Sequence, residues 1–208
     1  MSQQPGQMSV ERATETLFPT VIQISQLSNA TDLNKDLLQK VAKLRKETPN
    51  GRPDSWTSSV YTTLNTADQL HLMPEFAELA SAIMGEANSF ADTLNLAHNQ
   101  YPLRIKDCWV NIYGPKDGQE MHLHTNSVIS GSYYLKVPQG GSGIVLHSPF
   151  TDNMFEPPLA GINALNSGAA ELPVEEGMFV LFRSWLKHSV RPSSVKKDRI
   201  SISFNLMM

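Results

Sequence analysis

The run from Arg199 to Leu206 alternates without a break. Arg199, Ser201, Ser203 and Asn205 fall on one parity, and Ile200, Ile202, Phe204 and Leu206 on the other. Successive side chains of a strand point to opposite faces, so this run is a strand with two chemically different sides. The apolar side requires a core. The polar side is not that of a solvated sheet, where Lys, Glu and Thr are favoured: one guanidinium, two hydroxyls and an amide suit the lining of a pocket. Whatever fold the chain adopts must give this strand a core on one face and a cavity on the other.

The second half of the chain extends that pattern. After Tyr101-Pro102, short runs rich in Val, Ile, Tyr and Phe alternate with polar residues and are punctuated by Gly, Pro, Asn and Asp. Strands are expected near 104–113, 119–125, 128–137, 143–147, 170–174, 177–183, 186–191 and 199–206. About eight short strands at this spacing predict a double-sheet jelly roll or small barrel. The first half is different. Leu33, Leu37, Leu38, Val41 and Leu44 form one stripe of a helix over 33–46, with Thr31 or Asp32 able to cap it. Phe76, Leu79, Ala80, Ile83, Ala87, Phe90 and Leu94 form the stripe of a second helix over 74–97, with Pro74 in its first turn. The aromatic and β-branched stretch 55–63 reads as an extended segment. The fold class expected is α+β: helices over 1–100 bracing a β-rich half over 101–208, within one domain.

Composition narrows the function. The chain has 208 residues, 40% of them hydrophobic, and a formal net charge of −3, values of a globular domain rather than a disordered segment. That charge, with a pI near 6.1, lacks the basic bias of a nucleic-acid binder. The opening residues contain no apolar core of a secretory signal, and no apolar run approaches membrane-spanning length, so a cytoplasmic location is expected. One cysteine excludes a disulfide framework and a cysteine-rich zinc module, whereas six histidines offer imidazole as a metal ligand.

The strongest local signal is Glu120-Met121-His122-Leu123-His124. On a strand, residues i and i+2 share a face, so both imidazoles can reach one ion, which suits iron, zinc, copper or nickel better than magnesium or calcium. A plain alternative is two histidines on a wet strand. A third histidine, His188, lies between two apolar runs shortly before the alternating strand. For His71, His98 and His147 a structural or surface role is the simpler reading. Cys108 is expected as a small buried hydrophobe, and Trp56, Trp109 and Trp185 as core, with Trp185 near enough to His188 to wall a pocket.

The order His-x-His, an aromatic strand, a lone His and Arg-x-Ser about eleven residues later resembles the iron(II)- and 2-oxoglutarate-dependent oxygenases. Within them the chain resembles a bacterial and phage branch with prolyl-hydroxylase-like cores. The resemblance is carried by 109–138 and 177–205, with Leu-Phe-Pro-Thr at 17–20 and the helical first half also fitting. It implies a double-stranded β-helix, iron(II) held by three protein ligands, and 2-oxoglutarate as co-substrate of a hydroxylation. By the same resemblance, Arg199 and Ser201 would clamp the far carboxylate of 2-oxoglutarate. Tyr133, and less favourably Tyr134, would donate a phenol to it. Asn111, Tyr113 and Asn205 would line the pocket.

One feature departs from the usual family set of two histidines and an acid. His124 stands where the acid is expected, which implies the ligands His122, His124 and His188. The pair His124 and Asn126, or a contribution from Glu120, are the alternatives. A three-histidine metalloenzyme of the cupin type that dispenses with 2-oxoglutarate, and a non-catalytic jelly-roll binding protein, are the competing functions. Only the oxygenase needs the Arg199-x-Ser201 clamp. A small-molecule or peptide substrate is expected, selected by the helical half and by the long connection 148–170, which has the composition of a lid. Oligomeric state leaves no mark in the sequence.

Overall fold

The structure, a computed structural model, describes residues 10–150 and 157–208. The start of the N-terminal segment and part of the expected lid therefore lie outside the described residues.

The alternating run forms an inner strand of a six-stranded antiparallel sheet. In chain order the strands are β1 (Ile22–Gln26), β2 (Tyr61–Thr62), β3 (Arg104–Tyr113), β4 (Gln119–His122), β5 (Ile129–Lys136), β6 (Ile144–His147), β7 (Ala169–Leu172), β8 (Met178–Arg183), β9 (His188–Val190) and β10 (Arg199–Met207). The larger sheet has the order β1-β8-β5-β10-β3-β2, and a smaller one the order β4-β9-β6-β7. Helices α1 (Ala30–Glu47) and α2 (Ala77–Thr93) precede β3, separated by two short 3-10 turns.

The core lies between the helices and one face of the larger sheet. Leu33, Leu37 and Val41 of α1, with Leu79, Ile83, Ala87 and Phe90 of α2, are buried against Val110 and Ile112 of β3 and Ile200, Ile202, Phe204 and Leu206 of β10. Every even residue of the alternating run is in this core, as its parity requires. Gly131 of β5 permits the close packing: a Cβ there would lie 2.7 Å from the Phe204 ring and from the Val180 carbonyl oxygen.

Local differences from expectation have local causes. Helix α1 starts three residues early, at Ala30, behind Asn29, and neither Thr31 nor Asp32 caps it. Pro74 opens a 3-10 turn rather than α2 itself, and α2 stops before Asn95, whose φ of 52° is left-handed. The stretch 55–63 contributes only Tyr61–Thr62 to a strand. A strand not expected in the helical half is β1, which pairs along β8 from Ile22↔Phe182 to Gln26↔Met178. Its five residues are too few to stand out by periodicity, and its pairing partner is distant in the chain.

Candidate active site

The second face of the larger sheet and the smaller sheet enclose a cleft of about 280 Å³. Antiparallel pairing sets His122 of β4 directly across from His188 of β9, with ring centroids 4.2 Å apart. His124 follows just beyond β4, where its N–H donates to the Ser184 carbonyl at 3.0 Å. Its ring stacks on His188 at 5.0 Å and 14°. Ligand nitrogens of all three histidines lie within 4.8 Å of one another. One side chain at the end of β4, one just beyond it and one from β9 thus converge on a single point.

The backbone fixes which nitrogens face inward. His122 Nδ1 is 2.8 Å from the Glu120 carbonyl oxygen, and His188 Nδ1 is 2.9 Å from that of Leu186. A carbonyl only accepts, so each Nδ1 carries the proton and each Nε2 keeps its lone pair. Nε2 of His124 and of His188 lie 3.2 Å apart. Burial lowers the proton affinity of all three rings. His124 is pushed down to about 4 and His188 to about 2, with repulsion from the neighbouring imidazoles adding to the effect. At neutral pH the site therefore presents unprotonated nitrogen donors, the form a divalent transition metal binds.

Across the cleft is Arg199, only 5% exposed. Its Nε and Nη1 are buried without a hydrogen-bond partner, and among the described residues no carboxylate pairs with it. The guanidinium lies 4.9 Å from the Tyr113 ring centroid and 5.0 Å from that of Tyr134. Burial raises both phenols, Tyr134 to about 12, against the opposing pull of the Arg199 charge, so both stay protonated donors. Leaving buried cationic donors unsatisfied is costly, and an anion in the cleft would relieve that cost. Three neutral nitrogens on one side could hold a divalent transition metal, and the guanidinium on the other could hold a carboxylate.

The sequence-derived candidates separate clearly. His122, His124, His188, Asn111, Ser201, Tyr113 and Arg199 all line the cleft. Asn111 donates through Nδ2 to Ser203 Oγ at 3.1 Å, and Ser203 is 2.9 Å from Ser132 Oγ. Tyr133 is a correction: it pairs across from Ile202, points into the core, and its hydroxyl donates to Asn34 Oδ1 at 2.5 Å. Tyr134, opposite Ser201, is the tyrosine on the cleft side. Asn205 is a second correction, because it does not line the cleft; its amide is bonded to Ser130 and Asp107. Of the alternative ligands, Glu120 is engaged by the Thr57 N–H at 2.8 Å and by the Thr57 hydroxyl, while Asn126 sits in a turn with φ of 55°.

Other expectations also shift. Trp185 is 47% exposed and does not wall the cleft, whereas Trp56 and Trp109 do. Trp109 was signalled by parity, since it shares a β3 face with Asn111 and Tyr113; Trp56 carried no signal. Cys108 is buried, as its strand position implied. His147 bonds Ser189 and His98 pairs with Asp92.

Residues 107–205 match a protein-family model described as "Putative 2OG-Fe(II) oxygenase". No curated protein matches the chain in sequence. Among solved structures, the chain is similar to HygX from Streptomyces hygroscopicus, determined with nickel, 2-oxoglutarate and hygromycin B bound. That likeness has 15% identity and a TM-score of 0.60, covering 90% of this chain and 82% of the other. It is similar to a prolyl-4-hydroxylase from Pseudomonas putida, with 18% identity and a TM-score of 0.56 over 89% of this chain and 92% of that one. A third likeness is to a prolyl hydroxylase from Trichoplax adhaerens in complex with a hypoxia inducible factor peptide. It has 14% identity and a TM-score of 0.60 over 89% and 83% of the two chains. At such identities these structures speak for the fold, and the matched residues speak for the family. Residues 107–205, which carry the three histidines and Arg199, are thus similar to the 2OG-Fe(II) oxygenase family, and the solved neighbours share the fold of the chain.

Proposed function

We propose that the protein is an iron(II)- and 2-oxoglutarate-dependent dioxygenase that hydroxylates a small molecule or an amino-acid side chain. His122, His124 and His188 are its metal ligands, and Arg199 with Ser201 and Tyr134 is its 2-oxoglutarate clamp. The observation that carries this reading is the buried Arg199 guanidinium, with two unpartnered donors, facing the cleft that holds the histidine trio. A metal site that dispenses with 2-oxoglutarate has no use for such a cation. The two sheets are the halves of a double-stranded β-helix, and 1–208 acts as one unit, a reading supported by the core that α1 and α2 share with β3, β5 and β10.

Each residue has a physical task. The histidines hold the metal without proton competition at neutral pH, and their carbonyl-bound Nδ1 atoms lock ring orientation. Arg199 supplies charge-assisted hydrogen bonds to a carboxylate, which Tyr134 and Ser201 flank. When bound, iron and 2-oxoglutarate supply the oxidising chemistry. Trp109, Trp56, Leu64 and Leu123 leave an apolar remainder of the cleft for the substrate. Arg199 is the one formally charged side chain among the described lining residues, which favours an uncharged group at the point of reaction. HygX with hygromycin B and the Trichoplax enzyme with its peptide are neighbours on both sides of the small-molecule and peptide alternatives.

Anaerobic titration with iron(II), with and without 2-oxoglutarate, is the test. The metal-to-ligand charge-transfer band should develop only with both present. A folded, iron-loaded protein that shows no band with 2-oxoglutarate would remove the reading. A His124→Asp variant should still bind iron, because the acid would occupy the position usual in the family.

A further inference from the structure

A buried chain of polar side chains runs behind the histidines and has no place in the cleft. Ser184, Ser130 and Asn205 are each almost fully buried. Ser130 Oγ lies 2.8 Å from Ser184 Oγ and 2.7 Å from Asn205 Oδ1, and Asn205 Nδ2 donates to Asp107 Oδ2 at 3.1 Å. An amide oxygen only accepts, so Ser130 directs its single proton to Asn205 and accepts from Ser184. Every donor in the chain then points toward the Asp107 carboxylate, an arrangement in which successive hydrogen bonds reinforce one another.

One end of the chain meets His124, and the other end lies on the strand that carries its ring neighbour Trp109. At one end, the Ser184 backbone carbonyl accepts the backbone N–H of His124. The same turn supplies the Leu186 carbonyl that orients His188. At the other end, Asp107 shares a face of β3 with Trp109, whose ring lies 5.8 Å from that of His124. Resting on the metal-site reading above, we infer that Asp107 is a positioning residue. Through Asn205, Ser130 and Ser184 it fixes His124, and it lends the three-histidine site the negative charge that its own ligands lack.

The charge balance supports this. A site of three neutral imidazoles brings no negative charge to a divalent ion, and a nearby carboxylate supplies it by Coulomb attraction through a medium of low dielectric. Asp107 is the acidic end of the chain of hydrogen bonds that leads to the Ser184 turn and the backbone of His124. The Lys106 ammonium also pairs with Asp107 at 2.7 Å and partly offsets its charge.

A chain that merely pinned β3, β5 and β10 to the turn after β8 would affect melting but not metal affinity of the folded protein. Cobalt(II) affinity, read by competition with a chromophoric chelator, and the cobalt d–d absorption band separate the two roles. Asp107→Asn keeps an acceptor for Asn205 and removes the charge. It should bind cobalt about 10-fold or more weakly while remaining folded by circular dichroism. Ser130→Ala, which cuts the chain, should shift the d–d band. Wild-type affinity together with an unchanged band in folded Asp107→Asn overturns the inference and leaves the metal site standing, provided that His188→Ala loses cobalt. Failure of the wild-type protein to bind cobalt overturns both. If Asp107→Asn does not fold, Lys106→Met decides: freeing the carboxylate should tighten cobalt binding about two- to fivefold, and no change overturns the inference.

Discussion

The two faces of β10 are built from alternating residues of one strand and do opposite work. On one face Ile200, Ile202, Phe204 and Leu206 are packed against the helices, and each contact is shared with several neighbours. On the other, Arg199 is buried with two donors unpaired and Ser201 lines an open cleft. The first face lowers the free energy of folding; the second withholds satisfaction of its polar groups until something binds. Stability and recognition are thus separated by parity, 180° apart on one strand, and substitutions on the two faces should have separable consequences.

The largest effect is expected at the metal. His188→Ala removes the ligand that both sheet pairing and the Leu186 carbonyl hold in place. Metal stoichiometry by elemental analysis should fall to background in a folded protein, and retained stoichiometric metal would show that the trio is not the site. Next comes the core face. Phe204→Ala should cost about 3–5 kcal/mol in denaturant unfolding by leaving a cavity beside Phe179 and Gly131. A loss under about 1 kcal/mol would break the assignment of stability to that face.

Arg199→Met should do the reverse. Removing an unpaired buried cation leaves the ligand-free protein as stable or more so. The same change should weaken 2-oxoglutarate binding about 100-fold, the worth of two charge-assisted hydrogen bonds. Equal loss of metal affinity would show that the clamp is misassigned. A smaller contrast separates adjacent tyrosines. Tyr133→Phe should cost about 1–3 kcal/mol of stability, because Asn34 Oδ1 loses its donor, without changing 2-oxoglutarate affinity; Tyr134→Phe should weaken that affinity severalfold. Calorimetry of both variants checks the pair.

The smallest effect is at alkaline pH. Burial pushes the Cys108 thiol up to about 12, above its value near 9 in an unfolded chain. The folded state then holds a proton that the unfolded state releases. This stabilising contribution is complete below about pH 9 and is lost as pH rises toward 12. Tyr133 and Tyr134, also raised to about 12, add to the decline above pH 10. Cys108→Val should therefore show a shallower loss of unfolding free energy between pH 8 and pH 10. The native thiol should resist iodoacetamide at pH 9 until denaturant is added.

Much of this was legible in the residues. The strand β3 was expected over the residues it occupies, 104–113, and β10 to within one residue. Their alternation also announced which side chains would meet the core. The three histidines and Arg199 were visible because each belongs to a spaced pattern on a strand. What escaped had no such pattern. Tyr133 and Tyr134 are adjacent, and only the pairing of Ser201 with Tyr134 and Ile202 with Tyr133 settles which is in the cleft. Asn205 has the parity of a lining residue but lies at the end of the row, where Ser130 and Asp107 take its amide. Trp56 arrives from a loop remote in sequence.

By itself the sequence determined the periodicities, and with them the helices, most strands and the face of each strand. These depend on interactions within a few residues and on the fixed geometry of the backbone. The tertiary structure alone decided register and neighbourhood: that His122 stands across from His188, that Arg199 finds no carboxylate among the described residues, and that Asp107 ends a hydrogen-bonded chain to the turn holding His124. Those facts arise from contacts between segments far apart in the chain. A shift of one residue in register would exchange the two faces of a strand while leaving the local pattern unchanged.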